Sequence, residues 1–187
     1  MISRDVQGAP PGSLLPQLSG GHVLLRATEA RDLPAIEIGI VDPDVVRWIG
    51  PPHGSAEVEV GINVERWVTG SPTFSICELD GTCVGLVWVN VRPEDRSIGS
   101  VGYWLLPEAR GRGFATRAVR LISAWAVEHL GIRTLRLTTA PDNERSQRVA
   151  ARAGFRRISP PEGEPPDSPI AGQVVHVLDI EPRSASS

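Results

Sequence analysis

The apolar and polar positions of the chain fall into short runs of strand character and longer runs of helical period. His22 to Arg26 is a short strand candidate. Ala30 to Ile40 follows as a helix, with Asp32 as its N-cap and Pro34 in the first turn. Val45, Val46, Trp48 and Ile49 make a second short apolar helix after Asp42-Pro43. Gly50-Pro51-Pro52-His53-Gly54 reads as a loop, and Ser55 caps a helix running to about Thr69. Thr73 to Leu79 and Thr82 to Val91 are two apolar strands around Asp80-Gly81, and Ile98 to Leu106 is a third. Gly113 to Leu130 is the longest helix. Phe114, Ala118, Ile122, Trp125, Ala126 and Leu130 recur on one face, with Arg112, Arg117, Arg120 and Glu128 off it, and Gly131 ends it. Thr134 to Ala140 is a strand, Asn143 to Ala153 a helix closed by Gly154, Phe155 to Ile158 the start of a strand, and Gln173 to Ile180 a closing strand.

This order predicts a mixed α/β (α+β) fold. It is a largely antiparallel sheet with helices on its faces and at least one strand–helix–strand crossover. Pro10-Pro11, Gly12, Pro16 and Gly20-Gly21 make residues 1–20 a loose arm, and Ser159 to Gly172 is Pro-, Glu- and Gly-rich and reads as a mobile loop. The expected division is an arm over 1–20, one domain over 21–181 and a tail over 182–187.

Composition narrows the function classes. The length of 187 residues suits one domain with a sizeable core, and 41% hydrophobic residues is ordinary for a soluble globular protein. Neither a membrane-spanning run nor a signal-peptide pattern is present, so the expected location is the cytoplasm, with no membrane partner. A net charge of -3 gives no global basic face for nucleic acid. All 19 basic residues are arginine, which a codon bias explains, so the count alone says nothing about phosphate binding. With a two-residue hairpin loop, Cys77 and Cys83 point to opposite faces of the sheet, which argues against a disulfide, and the chain lacks the ligand spacing of a metal site.

The chemistry concentrates where a strand is followed by Pro107-Glu108-Ala109, then Arg110-Gly111-Arg112-Gly113, then the long helix. Two glycines let the backbone curl so that successive N–H groups converge, and the helix dipole adds positive potential. Such a turn seats a phosphate. The glycines alone are equally compatible with a turn that starts a helix and binds nothing.

The surrounding words carry a resemblance. Arg110-x-x-Gly113-x-Ala115 matches the Q/R-x-x-G-x-G/A cofactor signature of the GNAT acetyltransferase superfamily. Gly102-Tyr103-Trp104-Leu105 before it, and Asn143-x-x-Ser146 with Ala153-Gly154-Phe155 after it, resemble the ribosomal-protein-alanine acetyltransferase (RimJ/RimL-like) branch. Weaker similarity at Leu25-Arg26, Asp32-Leu33-Pro34 and Asp42 to Trp48 extends the likeness over roughly residues 22–181. The resemblance implies a GNAT-type sheet of about seven strands with a splayed parallel pair at Trp104–Leu106 and Thr134–Ala140. It implies acetyl-CoA as cofactor and transfer of acetyl to a primary amine by direct attack. The pantetheine would pair with backbone at Leu105 and Leu106. The pyrophosphate would rest on Arg110, Gly111, Arg112, Gly113 and Ala115, with Thr116 beside it. Asn143 would reach the cofactor, Ser146 would lie near the thioester sulfur, and the N–H near Leu105 would polarise the carbonyl.

Two positions depart from the family pattern. Ala150 stands where many members carry a tyrosine acid, and Ser100 where a glutamate is frequent. Ser146 is the substitute acid, against the bland reading of a first-turn serine satisfying backbone. Tyr103, the only tyrosine, lies on a strand. His53 is the foremost base candidate, with Glu94, Asp95 and Glu29 behind it, although a charged loop residue is more often merely solvated. Trp48 and Trp67 would help line the acceptor pocket, although core packing is the commoner role for both. The acceptor could be a protein N-terminus or a small-molecule amine, with a weak lean towards a peptide or metabolite amine over a polycationic drug. A homodimer is left open. Two alternatives remain: a non-catalytic acyl-CoA-binding module, and a transferase for a larger acyl group such as succinyl.

Overall fold

In the computed structural model, the described residues are 15–158 and 172–179. The arm up to residue 14, the loop over 159–171 and the tail from 180 onward lie outside them. Eight strands form one sheet among the described residues, one more than expected: β1 (Leu18–Gly20), β2 (Val23–Ala27), β3 (Thr73–Cys77), β4 (Cys83–Val91), β5 (Ile98–Leu105), β6 (Thr134–Thr139), β7 (Arg156–Ile158) and β8 (Val174–Asp179). Their order across the sheet is β1-β2-β3-β4-β5-β6-β8-β7. The additional strand is β1, which corrects the arm boundary at residue 20. Gly21, at φ 60°, turns the chain so that Leu18 to Gly20 pairs with Val23 to Leu25.

Five α-helices lie among the described residues: α1 (Leu33–Val41), α2 (Pro43–Ile49), α3 (Ala56–Val68), α4 (Phe114–Leu130) and α5 (Glu144–Ala153). The helical stripe of α4 is realised, with Phe114, Ala118, Ile122, Trp125 and Ala126 buried against the main core while Arg117 and Arg120 stay out of it. That core joins α4 and α5 to one face of the sheet. A smaller one joins Ile36 of α1, Val45 of α2 and Ala56 of α3 to Leu86 and Trp104 on the other face. Gly39 of α1 is in close approach here: a Cβ would stand 2.4 Å from the Trp104 ring.

Two local readings are corrected. Asp32 does not cap α1 with its side chain. It is buried and bound to Arg26 at 2.6 Å, and it accepts from Ser75 at 2.7 Å. A buried guanidinium without this carboxylate would be an uncompensated charge, which outweighs any capping gain. The β3–β4 loop has three residues, not two. Gly81 adopts φ 91°, Glu78 N–H donates to Thr82 at 3.0 Å, and a register shift lies at Ile76/Cys77. This loop pattern inserts a bulge. Cys77 and Cys83 therefore face each other across the strands, both free and buried.

β5 and β6 are the parallel pair, and they pair only from Ile98–Ser100 to Thr134–Arg136. Beyond Ser100, β5 keeps β4 as its neighbour, while β6 pairs with β8 along its whole length. The two strands thus part at the centre of the sheet. No helix of the described residues is long and apolar enough to cross a membrane.

Candidate active site

The gap between β5 and β6 opens into a cavity of about 950 Å³. Its lining includes Val101 to Leu105, the turn residues Arg110, Gly111 and Gly113, and Ala115 and Thr116 of α4. Leu137 to Ala140, Asn143 and Ser146 close one wall, and Asp44, Val45, Arg47, Trp48 and Ile49 of α2 close another.

At one end the backbone is the functional group. Gly111 and Gly113 have φ 76° and 86°, in the left-handed region that side chains resist. The first bond within α4 runs from Arg117 N–H to Gly113 C=O at 3.1 Å. The N–H groups of Phe114, Ala115 and Thr116 therefore have no acceptor inside the helix. Gly113, as N-cap, has no side chain to satisfy them. Uncapped N–H groups at the positive end of a 17-residue helix fit a diphosphate.

The arginines of this turn do something other than expected. Arg110 sends Nε to Leu105 C=O at 3.1 Å, Nη1 to Asp44 at 2.9 Å and Nη2 to Asp42 at 2.5 Å. Its guanidinium is thus clasped to the start of α2. Arg112 is not among the lining residues; it pairs with Glu78 at 2.9 Å and lies over the Phe114 ring. Partial burial alone would raise the Asp42 carboxyl, but hydrogen bonds from Arg110 and Val45 N–H hold it below the usual carboxylate range.

In the wedge, strand parity decides which backbone groups are available. Leu106 N–H donates to Val84 at 2.9 Å, and Arg92 N–H donates to Ile98 C=O at 2.9 Å. Antiparallel alternation therefore turns the even-numbered residues of β5 towards β4, and Val101, Tyr103 and Leu105 the other way. On that side β6 has already departed. Leu105 can offer its N–H to the wedge. Leu106 cannot, which corrects its assignment as a pantetheine partner.

Tyr103 projects from β5 towards α5 and donates its hydroxyl to Ser146 Oγ at 3.0 Å. Burial pushes the Tyr103 hydroxyl above its ordinary value, with the Ser146 hydrogen bond acting against it. It therefore remains a neutral donor at physiological pH. In the sequence Tyr103 is a strand residue 43 positions from Ser146, with no local pattern to join the two. Its odd parity with Val101 and Leu105 was the available signal. Ala150, the position at which the resemblance implies a tyrosine acid, is wholly buried in the main core.

The remaining candidates divide. Asn143 caps α5, accepting from Ser146 N–H at 3.1 Å, so its Oδ1 positions Ser146. His53 is exposed outside the cavity and binds Glu59 at 3.1 Å. Glu29 and Asp95 serve local turns, and neither they nor Glu94 lines the cavity. Trp48 lines it; Trp67 packs on Phe74 and Trp125 in the core instead.

Residues 22–156 match the model of the acetyltransferase (GNAT) domain. A protein named as a ribosomal N-acetyltransferase, YdaF of Bacillus subtilis (strain 168), is 30% identical over 76 residues, 41% of this chain and 42% of that protein. The match thus spans less than half of that relative's length. Two solved structures share the fold. The acetyltransferase of Agrobacterium tumefaciens str. C58 superposes with a TM-score of 0.72 at 23% identity, covering 94% of this chain and 99% of that one. Mycobacterium smegmatis RimJ, in complex with CoA-disulfide, gives a TM-score of 0.71 at 22% identity, covering 88% of this chain and 86% of that one.

Proposed function

Because the chain belongs to the GNAT acetyltransferase family, we propose that it is an acetyl-CoA-dependent N-acetyltransferase whose acceptor is the α-amine of a protein or peptide N-terminus. The observation that carries this reading is the unpaired edge of β5, running beside the Tyr103–Ser146 pair into the turn at Gly113.

When bound, acetyl-CoA supplies the thioester carbonyl that the amine attacks. The N–H groups of Phe114, Ala115 and Thr116 would hold its diphosphate at the end of α4. The Leu105 N–H would be the donor that polarises this carbonyl. Ser146 accepts from Tyr103, which leaves its own O–H free to donate to a thioester sulfur as the C–S bond breaks, while the surplus proton of the acylated amine would pass to water. A thiol of free pKa about 8.5 needs little more. Much of the rate comes from holding both reactants in one place.

Charge in the cavity favours an α-amine. Asp44 is the one carboxylate among the described lining residues, and it is paired with Arg110. Deprotonation then rests largely on the amine's own equilibrium. An α-amine, at about 7.7–8.0, is partly neutral at physiological pH, whereas a lysine amine, at about 10.4, is not. Arg47, Arg110, Arg145, Arg148 and Arg152 also line the cavity and disfavour a polycationic acceptor. The name of YdaF points the same way. A ribosomal-protein acceptor, as the name of YdaF suggests, would be met in the cytoplasm.

The test is thiol release and mass spectrometry with acetyl-CoA and short peptides. One set has free N-termini and another has blocked N-termini with an internal lysine. Acetylation of the free α-amine alone is expected. Turnover only with polyamines or aminoglycosides would overturn the acceptor, and tight CoA binding without any turnover would favour a non-catalytic module. Succinyl-CoA in parallel examines the acyl group.

A further inference from the structure

The turn that receives the diphosphate contains two glycines, and glycine is the residue with most backbone freedom to lose. A contact from outside the turn reduces that freedom, and His22 makes one. It stands between Gly21 and β2, some 90 residues before the turn in the chain. Its Nε2 lies 3.1 Å from Arg112 C=O. Its ring meets Phe114 edge-on, with centroids 4.8 Å apart and planes at 88°. Its Cε1 lies 3.9 Å from where a Cβ of Gly113 would be.

We propose that His22 is a positioning residue for the cofactor, one that fixes the Arg112–Gly113 peptide in its diphosphate-binding orientation. A carbonyl oxygen only accepts, so Nε2 carries the proton in this contact. In a planar trans peptide the C=O of one residue and the N–H of the next point in opposite directions. Drawing Arg112 C=O towards His22 therefore sends Gly113 N–H the other way. Gly113 lines the cavity, whereas His22 and Arg112 do not. The N–H thus joins those of Phe114, Ala115 and Thr116. The flipped peptide would instead present a carbonyl dipole to the phosphates, which repels them. The Arg112 side chain, held by Glu78 and lying over Phe114, limits the same motion from the far side. His22 works by preorganisation, removing an ordering cost that binding would otherwise carry.

The proposal rests on acetyl-CoA as the donor, and the test separates the two. CoA binding is measured by calorimetry for wild type, His22→Phe and His22→Gln. Phe keeps the ring against Phe114 and removes the donor, whereas Gln restores a donor. His22→Phe is expected to weaken CoA about tenfold, and His22→Gln to recover most of that. The KM for acetyl-CoA should rise in parallel with kcat unchanged. With S-acetyl-pantetheine, which lacks the diphosphate, kcat/KM should match wild type. Wild-type affinity in His22→Phe would overturn the proposal, as would equal losses in both variants or with both donors. If His22→Phe fails to fold, His22→Leu takes its place with the same expected results. A wild-type protein that binds no CoA would remove the donor assignment itself, and this proposal with it.

Discussion

At the α4 end of the cavity the functional groups are backbone N–H groups within a few consecutive residues. At the wedge end the Leu105 N–H is joined by two side chains, Tyr103 and Ser146, brought together from positions 43 apart. The α4 end needs left-handed backbone and a helix start, both of which glycine placement specifies locally. The wedge needs a strand that parts from its neighbour, a side chain on the correct parity, and a helix that arrives from beyond the next strand. The two ends should therefore fail differently: the first in affinity for CoA, the second in turnover.

The largest effect is expected at the turn. Gly113→Glu combines a side chain at φ 86° with a carboxylate beside the phosphates, and should weaken CoA at least about 100-fold in calorimetry, about 2.7 kcal/mol. Unchanged affinity would move the diphosphate elsewhere. Next comes the wedge. Tyr103→Phe should lower kcat about tenfold, about 1.4 kcal/mol, with CoA affinity within about twofold of wild type. Ser146→Ala should cost several-fold. The double variant should cost less than the product of the two, because both act on one hydrogen-bonded unit. Additive losses would mean that the residues act separately.

Arg110 joins the two ends, and its substitution sharpens the comparison. Arg110→Gln should release α2, which carries Trp48 and Ile49 at the acceptor wall, and raise the acceptor KM several-fold. CoA affinity should stay within about twofold. A selective loss of CoA affinity would put the guanidinium on the phosphates after all. The smallest effect is in stability against pH. Asp42 has a depressed carboxyl value in the folded protein, so its contribution is present above the ordinary carboxylate value and lost as pH falls through the depressed one. The Tm difference between wild type and Asp42→Asn should shrink as pH falls from about 6 to 3. A difference that stays constant would show that the clasp's charge contributes nothing.

Much of the architecture was legible because periodicity and punctuation are local. The stripe on α4, the glycines that end α4 and α5, and the antiparallel strands around Asp80-Gly81 could all be read from neighbouring residues. Register was the weak point. One residue more in that loop, permitted by Gly81 at φ 91°, brought Cys77 opposite Cys83 when alternation had set them on opposite faces. β1 was hidden by its glycines and proline, which read as breakers although Gly21 is the hairpin turn itself.

The left-handed turn at Gly111 and Gly113 and the helix start after it are written into adjacent residues, because they act through covalently linked backbone. Tertiary structure alone decided what the neighbouring side chains do. Arg110 turns to Asp42 and Asp44, Arg112 to Glu78, Tyr103 to Ser146, and His22 to the carbonyl of Arg112. A guanidinium or a hydroxyl binds whichever partner the packed fold brings within about 3 Å with the right geometry. That partner is set by how strands and helices meet across the sheet.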